Sequence, residues 1–183
     1  FGVEEEKFRS AKEYFITSYK KNANIKNTLT LTNSTMNAVD IFTYYNTSYI
    51  LMTLDEGMDY SKYQDHSLKE LFLHSNSLAK LIKKYHDNGY LHLDIKPENI
   101  FILPETEEHI LLFDFDSVVS IEELRENGIP YLSFSEGFSA PEQVQGRVEK
   151  LGTYSDIYSI GAIVFYKLFN RTPVLEDCRI ASV

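Results

Sequence analysis

The stretch His92-Leu93-Asp94-Ile95-Lys96-Pro97-Glu98-Asn99 decides how this chain is read. It lies between a helical pattern that stops at Gly89 and a short apolar run, Ile100 to Leu103. The stretch is therefore a loop presented by rigid elements, a place where chemistry is commonly carried. A second apolar run, Ile110 to Phe113, follows a polar turn over Pro104 to His109, and Asp114-Phe115-Asp116 stands at its end. Two strands joined this way form a hairpin that returns Asp114 to the side of Asn99. One Lys and three metal- or proton-handling groups then share neighbouring loops. Carboxylate and amide oxygens can hold Mg²⁺, a carboxylate can orient a hydroxyl, and a cation can meet developing phosphate charge. That is the equipment of phosphoryl transfer.

With these residues in view, the loop resembles the catalytic loop of the protein kinase superfamily. Six fixed positions at roughly a twentieth each make a chance match on the order of 10⁻⁸ per start. Further features follow in the family's order. Ala140-Pro141-Glu142 resembles the A-P-E that closes the activation segment, and Asp156, Ser159 and Gly161 resemble the D-x-x-S-x-G of the buried central helix. Ile50-Leu51-Met52-Thr53-Leu54-Asp55-Glu56-Gly57 resembles the strand, gatekeeper and hinge. The likeness covers about residues 4 to 175 and is most specific from Tyr90 onward.

The resemblance implies an α+β, two-lobed kinase-like fold. Residues 1–54 would be a partial strand-rich N-lobe, and residues 55–183 a mainly helical C-lobe. It also implies roles. Asp94 would orient the substrate hydroxyl and take its proton, Lys96 would neutralise the transferring phosphoryl group, and Asn99 and Asp114 would ligate Mg²⁺. Met52 would be the gatekeeper beside adenine, with the backbone at Thr53 and Asp55 bonding its edge and Phe101 forming the floor under the ring. Ser135 stands where a hydroxyl bridges Asp94 and Lys96. Glu13 is the candidate for the helix carboxylate that pairs with the ATP-binding Lys, with Glu4, Glu5 and Glu6 as rivals. Lys at position 96 is typical of the Ser/Thr-specific branch, so the implied activity is ATP- and Mg²⁺-dependent transfer to Ser/Thr hydroxyls of protein substrates.

Several residues have plainer readings. His92 is expected to be structural, packed under Phe115, and Asp156 to tie down the catalytic-loop backbone. Lys83-Lys84 and Glu98 read as solvated, and Cys178 as a buried thiol.

Three departures from the family pattern stand out. Leu93 replaces the Arg of H-R-D, and Asp116 replaces the Gly of D-F-G. The resemblance places a glycine-rich loop and Lys before Phe1 and a helix with an Arg partner for Glu142 after Val183, and none of these lies within the 183 residues. The reading is a chain cut at both ends, inactive alone, with Glu142 left as a buried unpaired carboxylate. Two alternatives remain: a pseudokinase acting as a binding scaffold or allosteric partner, and an aminoglycoside-type small-molecule phosphotransferase, against which Lys96 and Ala140-Pro141-Glu142 argue.

Outward from the loop, Leu68 to Asn88 carries a helical pattern, in one or two pieces, and Ile157 to Leu168 reads as a core helix. Ser117 to Ser139 reads as a long loop. Ala38 to Tyr45 and Tyr49 to Leu54 read as strands joined by a turn at Asn46-Thr47-Ser48, and Glu4 to Lys21 as a helix. The 183 residues are 43% apolar, which is globular. A net charge of −9 argues against nucleic acid or anionic membrane as the main partner. The most apolar run, Ile160 to Phe169, is too short to cross a bilayer. One cysteine permits no intrachain disulfide, which fits a cytoplasmic setting.

Overall fold

Residues 9, 38–45, 47–52, 57–65, 67–103, 110–114, 116–129 and 132–174 are described by a computed structural model. The positions of Glu13, Thr53, Asp55, Phe115 and Cys178 lie outside them, as does all of the Glu4 to Lys21 helix except Arg9, which is helical.

An antiparallel hairpin comes first, β1 (Ala38–Tyr44) with β2 (Thr47–Met52). The turn is shorter than expected, because Thr47 and Ser48 already pair with Tyr44 and Thr43. β3 (Met58–Asp59) follows, and then α1 (Leu68–Asp87). This helix is one continuous element of 20 residues, not two. The Ser67 hydroxyl caps it by accepting the Glu70 N–H, satisfying a donor that the first turn leaves without a partner. One face, bearing Leu71, His74, Leu78, Leu81, Ile82 and Tyr85, is buried.

β4 (Tyr90–Leu91) leads into the loop of residues 92–96, which ends in a 3-10 turn at Pro97–Asn99. β5 (Ile100–Ile102) and β6 (Ile110–Leu112) are antiparallel, with Ile100 opposite Leu112. β3 pairs with the other edge of β5, giving the sheet order β3-β5-β6.

Residues 117–139 are not the unbroken loop that their weak periodicity suggests. β7 (Val119–Ser120) pairs with β4, and α2 (Ile121–Asn127) is capped by Ser120, which accepts the Glu123 N–H. Segments of two and seven residues are too short to show a period, and pairing with β4 supplies what local pattern does not. α3 (Pro141–Val144) and α4 (Thr153–Phe169) complete the described chain. α4 confirms the expected core helix, starting four residues earlier than its apolar run.

Two cores result. The larger joins α1, the β5–β6 hairpin and α4 through Leu78, Ile82, Ile100, Leu112, Ile160 and Ile163. The smaller holds Leu91, Leu93, Val119 and Leu124, with Ile121, Ile129, Leu132, Val148 and Leu151 packed around it. The catalytic-type loop runs between the two: Ile95 points into the first and Leu93 into the second.

Candidate active site

Asp94 is the centre of the site. The residue is 8% exposed, and three other side chains converge on it. Ser135 Oγ donates to Oδ1 at 2.8 Å. Lys96 Nζ donates to Oδ2 at 2.8 Å and Asn99 Nδ2 to the same oxygen at 3.0 Å. Lys96 Nζ also donates to Ser135 Oγ at 3.2 Å, so the hydroxyl bridges carboxylate and ammonium. Charge-assisted bonds of this kind hold a carboxylate in one orientation more firmly than neutral ones.

The hairpin brings the second loop alongside. Phe113 N–H donates to Asn99 C=O at 3.1 Å, which sets Asp114 next to the end of the first loop. The Asn99 amide nitrogen is committed to Asp94, both to its carboxylate and to its C=O at 2.9 Å. Its amide oxygen is thereby the atom left for a ligand. Asp114 is exposed and sits at φ +65°, a left-handed conformation that Asp tolerates better than most residues. Its Oδ1 accepts the Asp116 N–H at 3.3 Å. Two hard oxygen donors from adjacent loops match Mg²⁺, which takes one or two protein ligands and fills its octahedron with water and phosphate oxygens. Among the described residues no group of three or more His, Cys, Asp or Glu could hold a metal ion.

The backbone beneath Asp94 is held from two sides. Asp156, fully buried on α4, accepts the His92 N–H at 2.9 Å and the Leu93 N–H at 2.8 Å. His86 Nε2, near the end of α1, lies 2.8 Å from the same carboxylate. On the far side, Gln143 Nε2 donates to Leu93 C=O at 2.6 Å. Leu93 itself adopts φ +61°, which costs a residue with a Cβ roughly 1–2 kcal/mol. Burial of its side chain, at about 1.5–3 kcal/mol, together with these backbone bonds outweighs that cost.

His92 is fully buried, with its ring against Tyr85. Burial holds its imidazole below the usual histidine range, so at neutral pH the ring is uncharged. Its role is packing within the loop, with Nδ1 3.4 Å from the Asp94 nitrogen.

Of the residues expected at a nucleotide, the backbone of Met52 ends β2 and Phe101 sits on β5, half-buried. Gly57 lies against the Phe101 ring so closely that a Cβ there would stand 2.7 Å from it and 2.4 Å from Ile102 C=O. Only glycine lets the hinge approach this strand.

Two expectations need correction or addition. Glu142 is only partly buried and is not without a partner: the Ser155 hydroxyl donates to it at 2.6 Å. That hydroxyl, one turn into α4, discharges the penalty expected for a lone carboxylate. Nothing in the sequence marks Gln143 and His86 as site residues. Neither stands in a motif, and their partners are 50 and 70 residues away.

Residues 3–181 match the model of the protein kinase domain family. Calcium-dependent protein kinase 27 of Arabidopsis thaliana is 33% identical over 70% of this chain and 24% of its own length. Serine/threonine-protein kinase pkn2 of Myxococcus xanthus is 33% identical over 52% of this chain and 12% of its own length. Smooth-muscle myosin light chain kinase of Gallus gallus is 28% identical over 60% of this chain and 6% of its own length. This chain therefore belongs to the protein kinase domain family. It spans about a quarter or less of the curated relatives it matches.

Proposed function

We propose that this chain carries the phosphotransfer site of an ATP- and Mg²⁺-dependent kinase acting on Ser or Thr hydroxyls of proteins. The observation that carries the reading is the Asp94 carboxylate gathered with Lys96, Asn99 and Ser135 beside Asp114. The acceptor hydroxyl oxygen forms a bond to the γ-phosphorus as the bond from that phosphorus to the β–γ bridging oxygen breaks, and ADP leaves. Asp94 orients the hydroxyl and receives its proton late, when the new bond is largely made. Lys96 sits where charge gathers on the transferring group. Asn99 and Asp114 would hold Mg²⁺, which when bound offsets phosphate charge. Met52, Thr53, Asp55 and Phe101 are the proposed adenine contacts, and Glu13 the proposed partner of the phosphate-gripping Lys.

A binding-only pseudokinase is the alternative. It draws on Asp116, which puts a carboxylate side chain where the family carries glycine. One experiment separates the two: full-length protein is given γ-labelled ATP, Mg²⁺ and generic protein substrates, and labelled amino acids are identified. Phosphoserine or phosphothreonine, lost in Asp94→Asn, is expected. Saturable nucleotide binding with no transferred label would overturn the enzyme reading in favour of the scaffold.

A further inference from the structure

Gln143 is a buried side-chain amide, 2% exposed, on the short helix α3. Both hydrogens of its nitrogen are used. One goes to Leu93 C=O at 2.6 Å, the other to Ser133 C=O at 2.8 Å. These carbonyls belong to two different stretches of chain, the loop that presents Asp94 and the segment that presents Ser135. Asp94 is the residue after Leu93, and Ser135 is the second after Ser133. One amide thus ties together the two backbones whose side chains meet at Ser135 Oγ and Asp94 Oδ1, 2.8 Å apart.

The segment is supported elsewhere by contacts within itself, and Gln143 ties its backbone to that of the loop. Ser117 and Ser133 face each other at 2.9 Å between hydroxyls, joining its start to its end. Ser135 and Ser139 close a tight turn through Ser135 N–H to Ser139 Oγ and Ser139 N–H to Ser135 C=O, each 2.9 Å. Gly137 occupies that turn at φ +77°, with Thr172 so near that a Cβ would stand 2.3 Å from it. The turn fixes the shape of the segment, and Gln143 fixes its position against the loop.

Resting on the phosphotransfer reading above, we propose that Gln143 is a positioning residue: it sets the Asp94–Ser135 geometry directly, through neutral hydrogen bonds. A position where the family carries an Arg, next to Asp94, is here the apolar Leu93, buried among Leu91, Val119 and Leu124. Beside the charge-assisted contacts of Ser135 with Asp94 and Lys96, the tie that joins the two backbones is an uncharged amide, present whenever the fold is present. A misplacement of the order of 1 Å at reacting groups costs roughly a hundredfold in rate, so loss of this tie is felt at kcat.

The test uses Gln143→Met, which keeps length and volume but has no donors, and Gln143→Asn as a milder second variant. Both are made in full-length protein, alone and with Ser135→Ala. Expected results are a kcat lowered by roughly tenfold to a hundredfold with KM for ATP within about twofold. The effect should shrink in the Ser135→Ala background, because both changes act on one contact. Hydrogen exchange should quicken at residues 92–96 and 132–136 and not along α1. Unchanged kcat, or a loss that multiplies fully with Ser135→Ala, overturns the proposal. If wild type transfers no phosphate, the phosphotransfer reading fails and exchange alone decides the tie: faster exchange at both stretches supports it, unchanged exchange refutes it. Should Gln143→Met not fold, Gln143→Asn is judged by the same readouts.

Discussion

Leu93 carries two loads that one residue rarely combines: a left-handed backbone beside the catalytic-type carboxylate and a side chain that plugs an apolar cluster. Its replacement by Ala should create a cavity and cost about 2–5 kcal/mol, read as a lower denaturant midpoint. Hydrogen exchange should rise along residues 119–129, which pack against it, and a variant as protected as wild type there would contradict this. At the neighbouring positions, chemistry separates by residue. Asp94→Asn should remove most phosphoryl transfer, roughly a hundredfold or more, while ATP affinity stays near wild type, because the role proposed for Asp94 is on the acceptor and not the nucleotide. Asp114→Asn should instead weaken Mg²⁺-dependent nucleotide binding. Calorimetric binding and turnover, measured separately for both variants, check this, and equal loss of binding in both would be incompatible with the assigned roles.

Among the elements, the segment from Ser117 to Ser139 differs most from a free loop. β7 is zipped to β4, α2 is capped, and the far end is bonded to Asp94 through Ser135. Kinase loops ordered by phosphate use Arg-to-phosphate pairs, and the position next to Asp94 that would supply one is Leu93. Phosphate on Ser117, Ser120 or Ser133 would instead add negative charge to a segment that already carries Glu122, Glu123, Glu126 and Glu136. Activity of the full-length protein should therefore survive phosphatase treatment, changing by less than about twofold. It should also survive replacement by Ala of Ser117, Ser120, Tyr131 and Ser133. Activity that vanishes on phosphatase treatment and returns with rephosphorylation of the segment would show the argument from Leu93 to be wrong.

At the scale of the molecule, the loop is stitched to both long helices: Asp156 from α4 holds its amides, and His86 from α1 meets the same carboxylate. Burial of the neighbouring His92 imidazole makes stability depend on pH. The ring's folded pKa lies below the ordinary 6.5, so as pH falls the unfolded chain takes up the proton first. Stability from this residue is fully present above about pH 6.5 and is lost as pH falls below it, with a limiting slope of about 1.4 kcal/mol per pH unit. Urea midpoints of wild type and His92→Gln between pH 8 and pH 5 should converge on the acid side. Parallel curves would mean that His92 is not the group responsible.

Much of the site was legible in the sequence because its parts are local. Asp94, Lys96 and Asn99 lie within six residues, and a turn-linked pair of apolar strands is enough to return Asp114 to them. The two long helices announced themselves by period and apolarity, since burial of a whole face leaves a repeating mark. What only the tertiary structure decided involves partners far apart in the chain. The strand and helix inside residues 117–139 exist because β7 found β4, and Leu93 reads as a lost Arg until its cluster is assembled around it. Glu142 found Ser155 on α4, and Gln143 found two carbonyls that no spacing rule connects to it. Hydrogen bonds across 50 residues leave no periodic trace in a sequence. They are set by where packed helices place the backbone, and it is those bonds that turn a recognisable motif into a fixed geometry.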